Sequence, residues 1–436
     1  MADVSTRTSA IATSLEFLGS ARFTSALATT AIGAGILSWA LHNMIGWAGL
    51  IAIIALLVVL AALSLWARRE TLDRTALLPV SLLVFLTWAA VSIVWSQYQW
   101  ATLGGLAWLA AYTVLGVYIA LVRDTIQIIR MFGDVLRLVL LVSLALEVLS
   151  GILIDTPIPF LGIDAHLAQG GPISGLLGNR NELGILAVIG GITFIIEWRT
   201  RSIQRELGLG SLILASIALL LTRSPIAWGT ALVAIAVLAI LYGLRRAAPR
   251  RRRYLHFTAL AVAVVAAISA WFLRTAIVAA LNGNGELNYR LELWRELWTL
   301  LTLHPVEGWG WVGQWNTDVV PYASFGLASG RAPSSAVNAY LDVWFQLGII
   351  GLVIFVGLLA LAFARSWLLA ARQRTVVFTW PAIVLATLIT ASLAESGILM
   401  EFGWMTFVIC CVNASQTLSW RTALRKPLEQ EPLKGS

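Results

Sequence analysis

Residues 46–66 read GWAGLIAIIALLVVLAALSLW, and the charged run ARRETLDR follows at residues 67–74. An uncharged stretch of about 20 residues is long enough to cross the bilayer core as a helix. Similar stretches recur along most of the chain, which is 59% hydrophobic and only 12% charged. Soluble domains are roughly half apolar. We therefore predict an all-α polytopic membrane protein of about twelve transmembrane helices.

The predicted spans lie at residues 24–41, 46–66, 76–95, 101–121, 132–154, 182–197, 207–222, 226–243, 255–273, 338–363, 376–395 and 399–418. Spans seven and eight are separated only by Thr222 to Pro225. Arg223 and Pro225 favour a tight turn there rather than one continuous helix.

The predicted loops alternate in charge: arginine clusters after spans two, four, six, eight and ten. The intervening short loops 42–45, 96–100 and 396–398 contain neither arginine nor lysine. By the positive-inside rule the arginine-rich loops are cytoplasmic, so both termini are predicted to be cytoplasmic. The net charge of +8 is thus explained by membrane topology, and no nucleic-acid partner is expected.

This topology divides the chain into five parts: a cytoplasmic segment (1–23), nine helices (24–273), a large extracytoplasmic loop (274–337), three helices (338–418) and a cytoplasmic tail (419–436). A second outer loop lies near 155–181. Loops longer than about 15 residues are uncommon without a function, so we expect the chemistry on this outer side. Cys410 and Cys411 are adjacent in an apolar run and suit neither a disulfide framework nor a metal site.

The outer loop near 155–181 ends in a polar cluster, Gly178-Asn-Arg-Asn-Glu182, where span six begins. Asn181 is a candidate cap of that helix. The same cluster, with Arg180, also suits an anionic ligand at a helix N-terminus. Both interpretations remain open from the sequence.

The large loop contains a predicted amphipathic helix at 287–303, because apolar side chains recur there at helical spacing. They are Leu287, Leu291, Trp294, Trp298 and Leu301. His304-Pro305 ends the helix, and the loop EGWGWVG follows at residues 307–313. Trp309 and Trp311 there suit stacking on sugars or anchoring to lipid equally well.

Six arginines fall on the predicted outer side, against the positive-inside bias: Arg180, Arg223, Arg274, Arg290, Arg295 and Arg331. Arg223 lies at the tip of the tight turn with no acid nearby in sequence. Arg290 begins the amphipathic helix, where the helix dipole disfavours a cation unless an anion meets it. Two guanidinium groups at the outer face suit a diphosphate, because each binds oxygens bidentately.

Several motifs in residues 175–355 together resemble the O-antigen ligase and O-antigen polymerase superfamily of bacterial membrane glycosyltransferases. They are Gly178-Asn-Arg-Asn181-Glu-Leu-Gly, Leu221-Thr-Arg223-Ser-Pro, Arg290 with Leu293-Trp294, His304-Pro305 with Gly308-Trp-Gly310, and Asn338-Ala-Tyr340-Leu341 with Gln346-Leu-Gly348. The resemblance implies an architecture like that of C-type glycosyltransferases, in the bacterial inner membrane.

The resemblance also implies a reaction. A glycan on undecaprenyl diphosphate is transferred to a hydroxyl of an acceptor glycan or glycolipid, without a metal ion or cofactor. Arg223, Arg290 and Arg180 would bind the diphosphate, and Trp309, Trp311 and Tyr340 would contact the glycan or acceptor. His304, Glu307 and Asn338 are the candidates for catalysis.

One position departs from the family pattern. Ligases usually carry a histidine directly before the asparagine at 338, and it is proposed to activate the acceptor. Here that position is Val337, which cannot take a proton. Either another group takes its place, with His304, Glu307 and Asp342 nearby in sequence, or a strong base is unnecessary, or the chain is not a ligase. The departure favours a polymerase or another branch of the family over a ligase.

Two other functions stay open. The first is a transporter or flippase for a lipid-linked glycan or a small anion, which typically places ionisable residues within its spans. Arg137, which is able to snorkel, and Glu147 are the candidates within a span. The second is a non-catalytic membrane scaffold, which the missing histidine permits.

Overall fold

The computed structural model describes residues 16–70, 79–247, 254, 257–258, 272, 284–325, 330 and 332–417. Within these ranges the secondary structure is helical, with one isolated bridge between Ile158 and Ile163 and no strand. The long helices are α1 (Ala21–Ile36), α2 (Ser38–Ala67), α3 (Val80–Val91), α4 (Gln99–Val122), α5 (Thr125–Val148), α6 (Arg180–Thr200), α7 (Arg205–Thr222), α8 (Pro225–Arg246), α9 (Asn284–Leu301), α10 (Ala339–Arg372), α11 (Thr379–Ala391) and α12 (Glu401–Thr417).

Seven of the described helices are long and apolar enough to cross a membrane: α2, α4, α5 with its extension to Ile154, α6, α7, α8 and α10. Shorter apolar helices cover Val80–Val94 and Val376–Ala391. The chain is therefore a multi-pass membrane protein. The predicted ninth span, 255–273, falls almost entirely outside the described residues, as do Arg274, Arg331 and the tail from 418 onward.

The break between the first two helices lies at a different position from the predicted loop 42–45. The chain leaves helical geometry at Leu37, and α2 then runs through the predicted loop 42–45 with a kink at Gly46 (φ 75°). A positive φ is accessible to glycine at little cost. Gly46 therefore allows the chain to change direction without a separate loop.

The helices α6 and α12 form the centre of the bundle. Helix α6 packs against α5, α7, α8 and α11, while α12 packs against α4 and α10. Hydrogen bonds between side chains join these helices, from Trp380 Nε1 to Thr193 Oγ1 at 3.0 Å and from Trp404 Nε1 to Thr113 Oγ1 at 2.8 Å. Such bonds help to hold helices together where lipid cannot satisfy a polar group.

Arg137 and Glu147, the two candidates within span five, contact other elements. Arg137 pairs with Glu197 of α6, with 2.8 Å between Nη1 and Oε2. Glu147 accepts hydrogen bonds from the backbone N–H groups of Ser174 and Gly175, at 2.9 and 2.8 Å. Its carboxylate thus attaches the loop near 155–181, which is predicted to lie on the outer side, to α5.

Helix α9 forms over the stretch predicted to be amphipathic, and its apolar side chains occupy more than one face. Leu293, Leu297 and Leu301 are buried, whereas Leu291 and Trp298 are exposed. The buried stripe also contains Arg290, three residues before Leu293. The helix therefore packs one stripe against the protein and leaves Leu291 and Trp298 as a second, exposed apolar face.

A kink in α10 receives the Gly/Trp loop 307–313. Gly348 lies at φ 69° inside the helix, and a Cβ added there would overlap the carbonyl of Val306. Backbone N–H groups of Trp309 and Gly310 donate to the carbonyls of Phe345 and Gln346, at 3.0 and 2.8 Å. The loop therefore lies directly against the backbone of α10.

Candidate functional site

The N-terminus of α6 is capped by Asn179, not by Asn181 as predicted. The Asn179 Oδ1 accepts a hydrogen bond from the Asn181 N–H at 2.8 Å. This leaves the buried Asn181 side chain for tertiary contacts. Its Nδ2 donates to Glu395 Oε1 at 2.8 Å, and its Oδ1 accepts from Ser224 Oγ at 2.7 Å.

The predicted tight turn between spans seven and eight is confirmed. Helix α7 ends at Thr222, Arg223 adopts a left-handed conformation (φ 47°), and α8 begins at Pro225. Ser224 caps α8, because its Oγ accepts from the Ala227 N–H at 3.1 Å. The turn thus places Arg223 beside the N-terminus of α8, where the positive end of the helix dipole favours an anion.

Arg290 is buried, with 8% of its surface exposed, and all its contacts are with acceptors. Its Nη2 lies 2.9 Å from Glu395 Oε1. Its Nη1 donates to the carbonyls of Val337, at 2.9 Å, and of Ala394. The guanidinium therefore joins α9 to the segment before α10 and to the segment after α11.

Ser224, Asn181, Glu395 and Arg290 form one continuous chain of hydrogen bonds, here called the Arg290 network. Burial raises the pKa of the Glu395 carboxyl, and the positive charge of Arg290 opposes that rise. Through the network, the turn that carries Arg223 is connected to Arg290. Glu395 was not among the predicted site residues.

The three predicted arginines differ in their partners. Arg180 pairs with Glu286 of α9, with its Nε 3.1 Å from Oε1. Arg290 pairs with Glu395. Arg223 is exposed, its guanidinium lies beside Gly170 of the outer loop, and no carboxylate pairs with it in the part of the chain that the structure describes.

A cavity of about 110 Å³ lies beside the network, between α6, α11, the start of α12 and the junction of α1 and α2. Three carboxylates line it: Glu182, Glu395 and Glu401. Glu395 and Glu401 lie on either side of the predicted loop 396–398. Two acids around an otherwise uncharged loop are the feature of the sequence that could have identified this site. Over the described residues no group of three or more His, Cys, Asp or Glu side chains is arranged to hold a metal ion.

His304 and Glu307 pair with each other at the opposite end of α9 from the network. The His304 Nδ1 lies 2.8 Å from Glu307 Oε1, and the hydrogen bond with His304 lowers the pKa of the Glu307 carboxyl. The His304 ring packs edge-on against Trp309, with 4.5 Å between ring centroids. Since Arg290 and Leu301 are about 16 Å apart along the helix axis, the structure does not bring this pair into the Arg290 network.

The remaining predicted site residues have structural contacts. Asn338 caps α10, accepting from the N–H groups of Tyr340 and Leu341 at 3.0 and 3.1 Å. The Tyr340 hydroxyl donates to the Ile389 carbonyl at 3.1 Å. Trp311 is fully buried and packs edge-on against Phe85, so its ring is not presented to a sugar.

Val337 takes a left-handed backbone conformation (φ 48°), which is strained for a β-branched residue. Its carbonyl accepts the hydrogen bond from Arg290. Position 337, singled out in the sequence analysis, therefore lies directly at the Arg290 network with an aliphatic side chain.

Comparison with known proteins places this geometry in a family. Residues 210–356 match the family model described as O-Antigen ligase. That segment contains the Arg223 turn, Arg290 and the Gly/Trp loop. None of the curated proteins matches the chain. The match confirms the resemblance for the motifs that lie in this segment: residues 210–356 are similar to the O-antigen ligase family.

Proposed function

We propose that this protein transfers or polymerises a glycan carried on undecaprenyl diphosphate, at the extracytoplasmic face of the bacterial inner membrane. The acceptor is a hydroxyl of a second glycan or a glycolipid. One observation carries the proposal: Arg223, which is exposed and has no carboxylate partner among the described residues, lies one residue from the network that holds Arg290. Both arginines belong to the segment that matches the family.

Arg223 makes the first contact with the diphosphate. Its guanidinium has no carboxylate partner among the described residues and lies at the N-terminus of α8, where peptide N–H groups favour negative charge. Arg290 differs from Arg223, because three of the five N–H donors of its guanidinium already have acceptors, the carbonyls of Val337 and Ala394 and the Glu395 carboxylate. A diphosphate near Arg290 therefore binds the remaining N–H donors or competes with these acceptors.

The departure of the diphosphate drives the reaction. The acceptor oxygen attacks the anomeric carbon, the bond from that carbon to the phosphate oxygen breaks, and negative charge collects on the leaving diphosphate. Positioned cations stabilise such charge strongly in a site from which water is excluded. Polymerase-type transfer is favoured over ligation because Val337 stands where ligases carry histidine.

The test compares two arginines that share one backbone conformation. Arg223 and Arg201 are both exposed, and each follows a helix end with a left-handed φ, 47° and 55°. Arg201 lies at the far end of α6, on the predicted cytoplasmic side. Arg223→Ala is expected to lower the rate about a hundredfold or more, whereas Arg201→Ala leaves it unchanged.

The assay uses purified protein and the lipid-linked glycans extracted from source cells that lack its gene. Mass spectrometry follows both the release of polyprenyl diphosphate and the glycan product. Equal rates for Arg223→Ala and wild type would refute the role of Arg223. The alternative function is transport. Movement of the lipid-linked glycan across the liposome membrane, with no diphosphate released, would favour a flippase.

A further inference from the structure

The proposed reaction leaves one group unassigned, the base that takes the proton from the acceptor hydroxyl. The geometry points to Glu182, on the wall of the cavity beside the Arg290 network, as this catalytic base. The inference rests on the proposed glycosyl transfer. It names the residue that would touch the acceptor, in addition to those that would touch the diphosphate.

The base must lie near the arginines and must have a free lone pair. His304 and Glu307 have a lone pair, but they lie at the other end of α9 and pair with each other. Asn338 and Tyr340 are near the network, but their side chains cap α10 and bind a backbone carbonyl. The His304–Glu307 pair is therefore too far from the arginines, and the side chains of Asn338 and Tyr340 are not free to act as the base.

The three carboxylates of the cavity are not equivalent. Glu395 accepts hydrogen bonds from Arg290 and Asn181. Glu401 accepts from Trp108 Nε1 at 3.4 Å. Glu182 has no hydrogen-bond or ion-pair partner among the described residues, so its oxygen lone pairs are available to a hydroxyl.

The position of Glu182 on α6 directs it into the cavity. Its neighbours Asn181 and Leu183 are buried, whereas Glu182 is exposed on the cavity wall. Glu182 lines the same cavity as Glu395 and Glu401. Because Glu395 is a member of the Arg290 network, this shared cavity places Glu182 beside the network.

The proton and electrons balance as follows. The acceptor hydroxyl gives its proton to the Glu182 carboxylate while its oxygen forms the new bond to the anomeric carbon. The bond between that carbon and the diphosphate breaks, and its electron pair leaves with the diphosphate. The Glu182 carboxylic acid then returns the proton to water. No metal ion, oxidant or further reactant is needed for this balance.

The test separates turnover from donor binding. Glu182→Gln keeps the size of the side chain but removes the base, so kcat is expected to fall by about 10²–10⁴-fold. Binding of undecaprenyl diphosphate, measured by native mass spectrometry, should stay within twofold of wild type. Glu182→Asp, which retains a carboxylate, should keep more activity than Glu182→Gln. Glu206→Gln, at an exposed position in the first turn of α7, is the control.

The pH profile provides the second measurement. In wild type, kcat falls on the acid side as Glu182 takes up a proton, and this acid limb should be absent from the residual rate of Glu182→Gln. Wild-type kcat in Glu182→Gln would overturn the assignment. So would equal losses of stability and turnover in the Gln and Asp variants, which would indicate a structural role. If wild type releases no diphosphate at all, the proposed function itself fails.

Discussion

At the scale of single residues, the Arg290 guanidinium is held by two backbone carbonyls and one carboxylate. The side chains of Arg290 and Glu395 are only 10% and 9% exposed. Removing one partner of a buried ion pair leaves the other charge without compensation, which costs about 3–5 kcal/mol. Arg290 therefore contributes to folding as well as to the proposed chemistry.

We predict that Arg290→Ala lowers the free energy of unfolding by about 3–5 kcal/mol. Glu395→Gln introduced into that variant should restore part of the loss, because it removes the uncompensated charge. Thermal and denaturant unfolding of the purified protein measures both values, and a double-mutant cycle gives the coupling. Simple additivity of the two substitutions would show that the pair does not interact energetically.

The same pair gives a pH dependence with a defined sign. Burial raises the pKa of Glu395 above its unfolded value, and removing Arg290 raises that pKa further. A carboxyl with a raised folded pKa contributes stability that is complete below the unfolded pKa and is lost as the pH rises through the folded pKa. The deficit of Arg290→Ala should therefore be small in acid and should grow toward neutral pH, whereas the double variant should show little such change.

Sequence predicts residues whose role is local and misses those whose partners are distant. Arg223 was predicted because Thr222 to Pro225 interrupt an apolar run within four positions. Glu395 was missed because its partners, Arg290 and Asn181, lie 105 and 214 positions away. The assignment of the α6 cap to Asn181 failed for another reason: Asn179 and Asn181 have the same capping chemistry, and only the backbone decides between them.

At the scale of elements, the kink of α10 depends on a glycine. Gly348 combines a left-handed φ with direct contact to the backbone of Val306 and Glu307. Gly357 lies in the same helix with nothing within 4 Å of an added Cβ. Gly357 is therefore a matched control for Gly348, because the space for a Cβ is filled at Gly348 and empty at Gly357.

We predict that Gly348→Ala destabilises the protein and releases the loop 307–313, because a Cβ would overlap the Val306 carbonyl. Gly357→Ala should be neutral or stabilising by up to about 1 kcal/mol, since alanine favours a helix interior. Unfolding and limited proteolysis at this loop measure the two effects. Unchanged protection of the loop in Gly348→Ala would refute the docking role of the kink.

Helix α9 shows what periodicity predicts and where it fails. The pattern predicted a helix at 287–303, and the structure has one at Asn284–Leu301. Leucine and tryptophan occupy more than one stripe of this helix, so periodicity does not decide which stripe packs against the protein. Arg290 lies in the stripe that packs inward, and its acceptors lie on other elements and leave no local signal.

At the scale of the whole molecule, the arginine-rich segments predict which ends of the helices face the cytoplasm. Glu206 lies exposed beside one such segment, at the start of α7. Asp318 lies exposed in the predicted outer loop. Both native cysteines are buried, so a single introduced cysteine can report its side of the membrane.

We predict that Asp318→Cys reacts with a membrane-impermeant maleimide in intact spheroplasts, whereas Glu206→Cys reacts only after the membrane is permeabilised. The physical reason is that arginine-rich loops stay on the cytoplasmic side. Mass spectrometry of the labelled protein measures the modification. The reverse labelling pattern would place Arg223 in the cytoplasm and would exclude the proposed site.

The side chain of Gln346 accepts from the N–H groups of Val312 and Gly313 and donates to the Gly313 carbonyl. One amide thus satisfies three polar groups of the Gly/Trp loop from within α10. A chimaera that receives this loop from a relative would need the matching turn of α10 as well. For protein engineering, the two segments are a single transplantable cassette.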